Sequence, residues 1–357
     1  MKMTIRDIAS EAGVSIGTVS RVLNRAGNVD PELYQKTMLV IERNNYCPGR
    51  RKPARATATA DSGKKHGSIA IMFDSASEWK GSRLVADYMG GIEKTCFSRG
   101  YNVVLHMKKS FDDPALLGGL KNSVDGILIK GEFICDSPLP GLVDRLRRDI
   151  PTVGFGMSYP LCKFPQVSFD NYMAGMLAAE ELIKLGHRRI AFVNNNPRHT
   201  MFITRSQGFM MAMKRHGLWA NELLLEHDGA ANGELPEEAP PDMSMPLEKI
   251  LSSGQKITAA VCANDWISTG LYRACSTAGV DIPGDLSIVG FDNMPSICQL
   301  VTPKLSSVEN PFFQIGELAV NILLDRIERR TIYQDDMASI QYLPGTFIRR
   351  DSIKNLL

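Results

Sequence analysis

The hydrophobic rhythm of the chain changes twice. In residues 4–46 apolar side chains recur at helical spacing, broken at Gly13-Val14-Ser15 and before Asp30-Pro31-Glu32, which predicts three short helices. Thr4 with Asp7 reads as a capping box ahead of an Ile5, Ile8, Ala9 and Ala12 stripe. Ser15 suits the N-cap of a second helix reaching Asn24, and Asp30 that of a third, with Pro31 in its first turn. Residues 47–67, CPGRRKPARATATADSGKKHG, have almost no large apolar side chain and read as a linker. From Ser68 the pattern becomes short apolar runs separated by helical stretches. Strands are expected at 69–73, 102–106, 125–129, 151–155, 189–193, 259–263 and 286–291, with helices over 91–100, 178–186 and 266–279. Such alternation implies parallel βαβ units with right-handed crossovers, and 228–246 reads as an insertion or mobile loop.

Composition adds a division of charge. The chain has 357 residues, 44% hydrophobic and 22% charged, enough apolar material for two or three domains with sizeable cores. The net charge of +2 says little, but residues 1–66 carry 12 Lys+Arg against 6 Asp+Glu, while the remainder nets −4. Most of the excess lies in the linker, where Arg50, Arg51, Lys52, Arg55, Lys64 and Lys65 face only Asp61. A basic head on a mildly acidic body suggests a polyanion-binding module joined to another function.

Several classes fall away. No apolar run approaches the roughly 18 residues of a membrane span. Asp7 and Glu11 interrupt the N-terminal stretch where a signal peptide needs an apolar core. The seven cysteines are widely spaced without a CxxC, which suits reduced thiols in a cytoplasmic protein. The six histidines form no HExxH pattern, so no metal is expected. GVSIG at 13–17 fits a nucleophile elbow in letters only, because that motif needs a strand before its serine and a helix precedes this one. GFGMSY at 154–159 lacks the third glycine of a dinucleotide loop, and SGKK at 62–65 lacks the rest of a P-loop. No catalytic group and no cofactor are expected, and the chain does not read as an enzyme.

The first two helices have the layout of a helix-turn-helix. In the second, Val19, Val22 and Leu23 fall on one side, where they can bury against Ile8 and Val14. Ile16, Gly17, Ser20, Arg21 and Asn24 fall on the other, free to enter a major groove. Arg21 suits bidentate contact with guanine, and Ile16 can pack on a thymine methyl. Gly17 costs a helix roughly 1 kcal/mol relative to alanine, and would permit close approach to DNA. Thr4, Ser15 and Thr18 are counted with this DNA-binding face, and Arg50, Arg51 and Arg55 with the phosphate-contacting linker.

Residues 4–24, TIRDIASEAGVSIGTVSRVLN, with 29–48, VDPELYQKTMLVIERNNYCP, closely resemble the DNA-binding head of the lac-repressor/galactose-repressor (LacI/GalR) family. The resemblance continues in order through VDGILI, IPTVGF, VSFDNYMAGMLAAEELIKLGHRRIAFV and VCANDWISTGLYRACSTAGVDIPGDLSIVGFDNMP. It implies a small all-α helix-turn-helix head (1–46), a hinge (47–67) and an α/β body (68–357) of two Rossmann-like subdomains, periplasmic-binding-protein-like. The first subdomain is expected at 68–169 plus 295–325, and the second at 170–294 plus 326–357. The family implies a homodimeric repressor of near-palindromic operator DNA, controlled by a small effector such as a sugar or sugar derivative. The alternative is a small-molecule sensor with a non-functional head, against which the intact recognition helix argues.

By resemblance, Arg205, Asn264 and Asp292 are expected to hold the effector's polar groups, and Arg205→Ala to abolish its response without harm to folding. Asp265 reads as the cap of a helix beginning at Trp266, and Asp170 and Asn171 as structural residues between lobes. Trp79 either stacks on an effector ring or packs in a surface loop. The chain departs from the family at Pro53 and Arg55, where a hinge helix with a wedging leucine is usual. It departs again at SRLV (82–85) and at Gly156-Met157, where the family often has NPFF and Asp-Arg.

Overall fold

The computed structural model describes residues 4–23, 29–44, 66–73, 83–107, 119–130, 150–159, 163–227, 239–328 and 339–357. The chain forms two units, Met1–Asp61 and Ser62–Leu357.

In the first unit, α1 (Ile5–Ala12), α2 (Ile16–Leu23) and α3 (Pro31–Arg43) follow the expected starts. The Asp7 carboxylate accepts the Thr4 amide at 2.8 Å while the Thr4 hydroxyl accepts the Asp7 amide at 3.4 Å, which closes the capping box. Gly13, in the left-handed conformation with φ 64°, ends α1. Ser15 Oγ then accepts the Thr18 amide at 3.0 Å, and Asp30 Oδ1 accepts the Glu32 amide at 2.9 Å, so both later helices begin on side-chain caps. The three helices close over Ile8, Ala9, Val19, Val22 and Ile41, with Val14 packed against them. Of the predicted inward set, the Leu23 side chain lies outside the described residues.

Among the described residues the second unit is built on two six-stranded sheets. The first takes β1 (Ser68–Phe73), β2 (Asn102–Met107), β3 (Gly126–Lys130), β4 (Thr152–Phe155), β5 (Gln166–Phe169) and β11 (Ile340–Leu343). Its order is β11-β5-β4-β3-β1-β2, and all its pairs are parallel. The second sheet takes β6 (Ile190–Asn194), β7 (Leu224–Glu226), β8 (Ala259–Cys262), β9 (Ser287–Asp292), β10 (Ser306–Glu309) and β12 (Thr346–Ile348). Its order is β12-β10-β9-β8-β6-β7, and it is parallel except where β12 runs antiparallel to β10. β1, β3, β4, β6 and β8 are buried almost end to end, as parallel strands covered on both faces must be.

The helices divide between the sheets. α4 (Arg83–Ser98) packs against α10 (Phe312–Glu328), and α10 also touches β3, β4 and β5. The second sheet carries α5 (Asn171–Lys184), α6 (Thr200–Arg215), α7 (Ser244–Leu251), α8 (Asp265–Ala278) and the short α9 (Pro295–Cys298). α5 and α6 approach closely because Gly175 faces the Arg205 carbonyl and Gly208 faces the Tyr172 carbonyl, where a Cβ would collide. Among the described residues the chain crosses between lobes between β5 and α5, between β10 and α10, and between β11 and β12.

These crossings correct the expected subdomain boundaries. Residues 295–309 belong to the second lobe, because β10 pairs with β9, and β11 at 340–343 belongs to the first, because it pairs with β5. The return to the first lobe therefore falls at Asn310-Pro311, between β10 and α10, rather than at 295. Of the expected loop 228–246, residues 228–238 lie outside the described residues, and from Ser244 the chain is helical as α7. No described helix is long and apolar enough to cross a membrane.

Candidate functional site

Two sites follow from this scaffold, one in each unit. In the head, the buried side of α2 leaves Ile16 at 47% exposure and Arg21 exposed. Ser20 is half-buried, and Thr18 is half-buried with its hydroxyl 2.9 Å from Ser15 Oγ. The Thr4 hydroxyl donates to Asp7 at 2.7 Å, so Thr4 and Ser15 already have structural tasks at the helix starts. That hydroxyl and the Thr4 amide hold the Asp7 carboxyl below its usual range. Gly17 is exposed, and a Cβ there would meet only Ser15 Oγ at 3.5 Å, so the fold does not require glycine at this position. Asn24, Arg50, Arg51, Arg55 and Pro53 lie outside the described residues.

In the body, the three effector candidates meet along the carboxyl edge of the second sheet, the edge where open α/β sheets bind ligands. Arg205, on α6, is 1% exposed. Its Nε donates to Asn171 Oδ1 at 2.8 Å, Nη1 to the Ala263 carbonyl at 2.7 Å and Nη2 to Asp292 Oδ1 at 2.8 Å. The guanidinium carbon also lies 4.8 Å from the Phe291 ring centre and 5.7 Å from that of Phe169. Three of its five N–H donors are thus engaged, which leaves one hydrogen on each terminal nitrogen. Asp292 ends β9 in a left-handed conformation, φ 92°, followed by Asn293 at φ 50°.

Asn264 turns out to be the cap of α8: its Oδ1 accepts the Ile267 amide at 2.8 Å, which leaves its amide NH₂ for other partners. The expectation that Asp265 caps this helix is therefore corrected. Asp265 is fully buried in the first turn, and burial pushes its carboxyl up to about 7. Asp170 caps α5 through the Met173 amide at 2.9 Å, as a structural residue would. Asn171 does more than support the crossing, since it orients Arg205.

Between the lobes lies a cavity of about 240 Å³. Gly156, Met157 and Ser158 line it from the first lobe, Asn171, Tyr172 and Met173 from α5, and His199, Met201 and Thr204 from the start of α6, with Tyr342 of β11 closing one side. Ser158 Oγ and Tyr342 OH lie 2.9 Å apart, and His199 stacks on Phe202 with centroids 4.4 Å apart. Asn171 both lines this cavity and holds Arg205, so it joins the two groups. Sequence reasoning does not single out His199, Met201, Thr204 or Tyr342. The available signal is position, because the turn after a β6-type strand opens on the binding edge. Trp79 lies outside the described residues, as do positions 74–82 that precede α4. The Gly156 departure has a packing reason: its φ is 60°, and a Cβ would come within 2.5 Å of the Tyr88 hydroxyl, so Tyr88 takes the space a side chain would need.

Comparison with known proteins bears on both units. Residues 4–49 match the model for bacterial regulatory proteins of the lacI family, and residues 179–353 match that for a periplasmic binding protein-like domain. Both units therefore resemble those of LacI-family regulators. It is 29% identical to the HTH-type transcriptional repressor PurR of Erwinia tasmaniensis, over 98% of this chain and 96% of the relative. It is 26% identical to the ribose operon repressor of Haemophilus influenzae, over 99% of each. Among solved structures, a complex of the transcriptional regulator CelR with cellobiose superposes with TM-score 0.65 at 24% identity, over 98% of this chain and 99% of the other. That likeness extends the LacI-type fold across head and body together.

Proposed function

We propose that this chain is a sequence-specific transcriptional repressor whose affinity for operator DNA is set by a small polar effector held between the lobes of its body. The observation that carries the reading is the exposed face of α2. Ile16, Gly17 and Arg21 stand clear of the head core on a helix whose opposite side buries Val19 and Val22, and Gly17 is glycine without a packing need. A major-groove helix needs that division of faces. Two relatives matched over nearly the whole chain, PurR and the ribose operon repressor, are named as repressors. A homodimer placing two heads on a near-palindrome fits the family, and with it a cytoplasmic, non-enzymatic protein. Burial pushes the Cys96 and Cys262 thiols up to about 12, which suits packing rather than nucleophilic chemistry.

Effector contacts are proposed at the remaining N–H groups of Arg205, the Asn264 amide and the Asp292 carboxylate, with Trp79 as a stacking partner. These donors and acceptors suit adjacent hydroxyls, as in a sugar. Binding must differ between the two lobe arrangements to alter operator affinity, and that difference limits the shift.

The test is a band-shift with genomic fragments followed by Arg21→Ala on the fragment retained. The substitution should cost about 1–3 kcal/mol and relax preference at one base pair. Failure to retain any specific fragment refutes the repressor reading, and equal weakening on all sequences reduces Arg21 to a phosphate contact. A thermal-shift screen of sugars, sugar acids and nucleosides tests the effector, because a ligand of the folded body raises its melting temperature by mass action.

A further inference from the structure

Asp292 and Asn293 form a turn whose backbone is held from outside it. Both have positive φ, 92° and 50°, a region uncommon outside glycine that Asp and Asn enter more readily than other side chains. The Asp265 carboxyl group lies against this turn. Its Oδ2 accepts the Met294 amide at 2.7 Å and the Cys298 thiol at 3.2 Å, while Oδ1 accepts the Ser307 hydroxyl at 2.7 Å. Ser307 Oγ in turn accepts the Asn293 amide at 3.0 Å. The two amides that follow Asp292 are therefore tied to one carboxyl group, one directly and one through Ser307.

Three features separate this arrangement from ordinary packing. Asp265 is fully buried, yet the arginines near the turn bond elsewhere: Arg205 to Asp292, and Arg350 Nη2 to Asn293 Oδ1 at 2.6 Å. A buried carboxyl without a bonded cation is costly to keep, and a core position with no other task would be filled better by an apolar side chain. β9 also makes room for it, because a Cβ on Gly290 would run into Asp265 Oδ1. Finally, its three partners come from the stretch after β9, from α9 and from β10, so the group joins the turn to the strand beside it.

We propose that Asp265 is a positioning residue for the effector site: through Met294 and Ser307 it holds the left-handed Asp292–Asn293 turn and so keeps the Asp292 carboxylate on Arg205. This rests on the reading of Arg205 and Asp292 as effector contacts, but its test needs no effector.

The experiment is residue-resolved hydrogen exchange on the full chain for Asp265→Ala, Asp265→Asn and Ser307→Ala. In Asp265→Ala the Asn293 and Met294 amides should exchange faster by about tenfold or more while β6 and β8 keep wild-type protection, the mark of a local opening. Ser307→Ala should release the Asn293 amide and leave that of Met294 protected. Asp265→Asn, whose amide oxygen still accepts one bond, should restore part of the protection. Unchanged exchange at both amides in Asp265→Ala overturns the proposal, as does an even loss of protection across the second lobe. Should Asp265→Ala fail to fold, Ser307→Ala decides, and wild-type exchange at Asn293 overturns it. The effector reading fails by a separate route, if Asp292→Asn leaves intact the thermal shift of a screened compound that stabilises the wild type.

Discussion

At the scale of single residues, the effector candidates are more deeply engaged in the fold than their sequence positions suggest. Arg205→Ala, expected from the motif to spare folding, would leave the half-buried Asp292 without its cation and the Ala263 carbonyl without its donor. Breaking one side of a buried pair costs about 3–5 kcal/mol, so calorimetry should register a large loss of body stability before any effector response is measured. Arg205→Lys is the sharper probe, since it keeps the charge and loses the fork of hydrogen bonds. Asp265 yields a pH prediction. Its folded carboxyl is raised from 3.8 to about 7, so between those values the folded state binds the extra proton and stability falls as pH rises. The contribution is present below the unfolded value and gone above about pH 7. Asp265→Asn should flatten this part of the stability–pH curve, and an unchanged slope would assign it to other groups. None of this is legible in ANDW, where Asn264 and Asp265 are equally good caps by type. The register of α8 on β9 gives the cap to one and burial to the other.

At the scale of elements, the seven strands expected from apolar runs all form, within a residue or two of their bounds. β5, β7, β10, β11 and β12 have three or four residues each, and several mix polar with apolar positions, as in Gln166-Val167-Ser168-Phe169. Segments so short carry too little periodicity to announce themselves, and their strand character comes from the neighbours they pair with. The close approach of helices is similarly hidden. Gly208 marks the RSQGF motif without saying why glycine stands there, and the reason is the Tyr172 carbonyl on the facing helix. Gly208→Ala should push α5 from α6 and destabilise the body by about 1–3 kcal/mol, the usual cost of overpacking. A melting temperature equal to wild type would show that the helix pair yields. Because Arg205 is one turn away, effector response should weaken with stability.

At the scale of the molecule, charge and chemistry are separated along the chain. Six of the head's positive residues lie in 47–66, while the side chains proposed to read bases lie on α2. Changing Arg50, Arg51, Lys52 and Arg55 to glutamine should weaken binding to every DNA sequence alike. The slope of log affinity against log salt should become shallower by about 0.9 for each phosphate no longer neutralised. A change in base preference instead would mean that the linker reads sequence.

The sequence alone determined the helix starts of the head, the two faces of α2, the parallel α/β character of the body and the family resemblance. Each of these follows from local spacing, capping chemistry or an ordered set of motifs. Only the tertiary structure decided that 295–309 stay with the second lobe, that Tyr88 takes the space beside Gly156, and that Asp265 lies beneath the turn carrying Asp292. These depend on which strand lies beside which and on residues more than twenty positions apart reaching one another. Such neighbours are set by packing in three dimensions, and no local pattern in the chain encodes them.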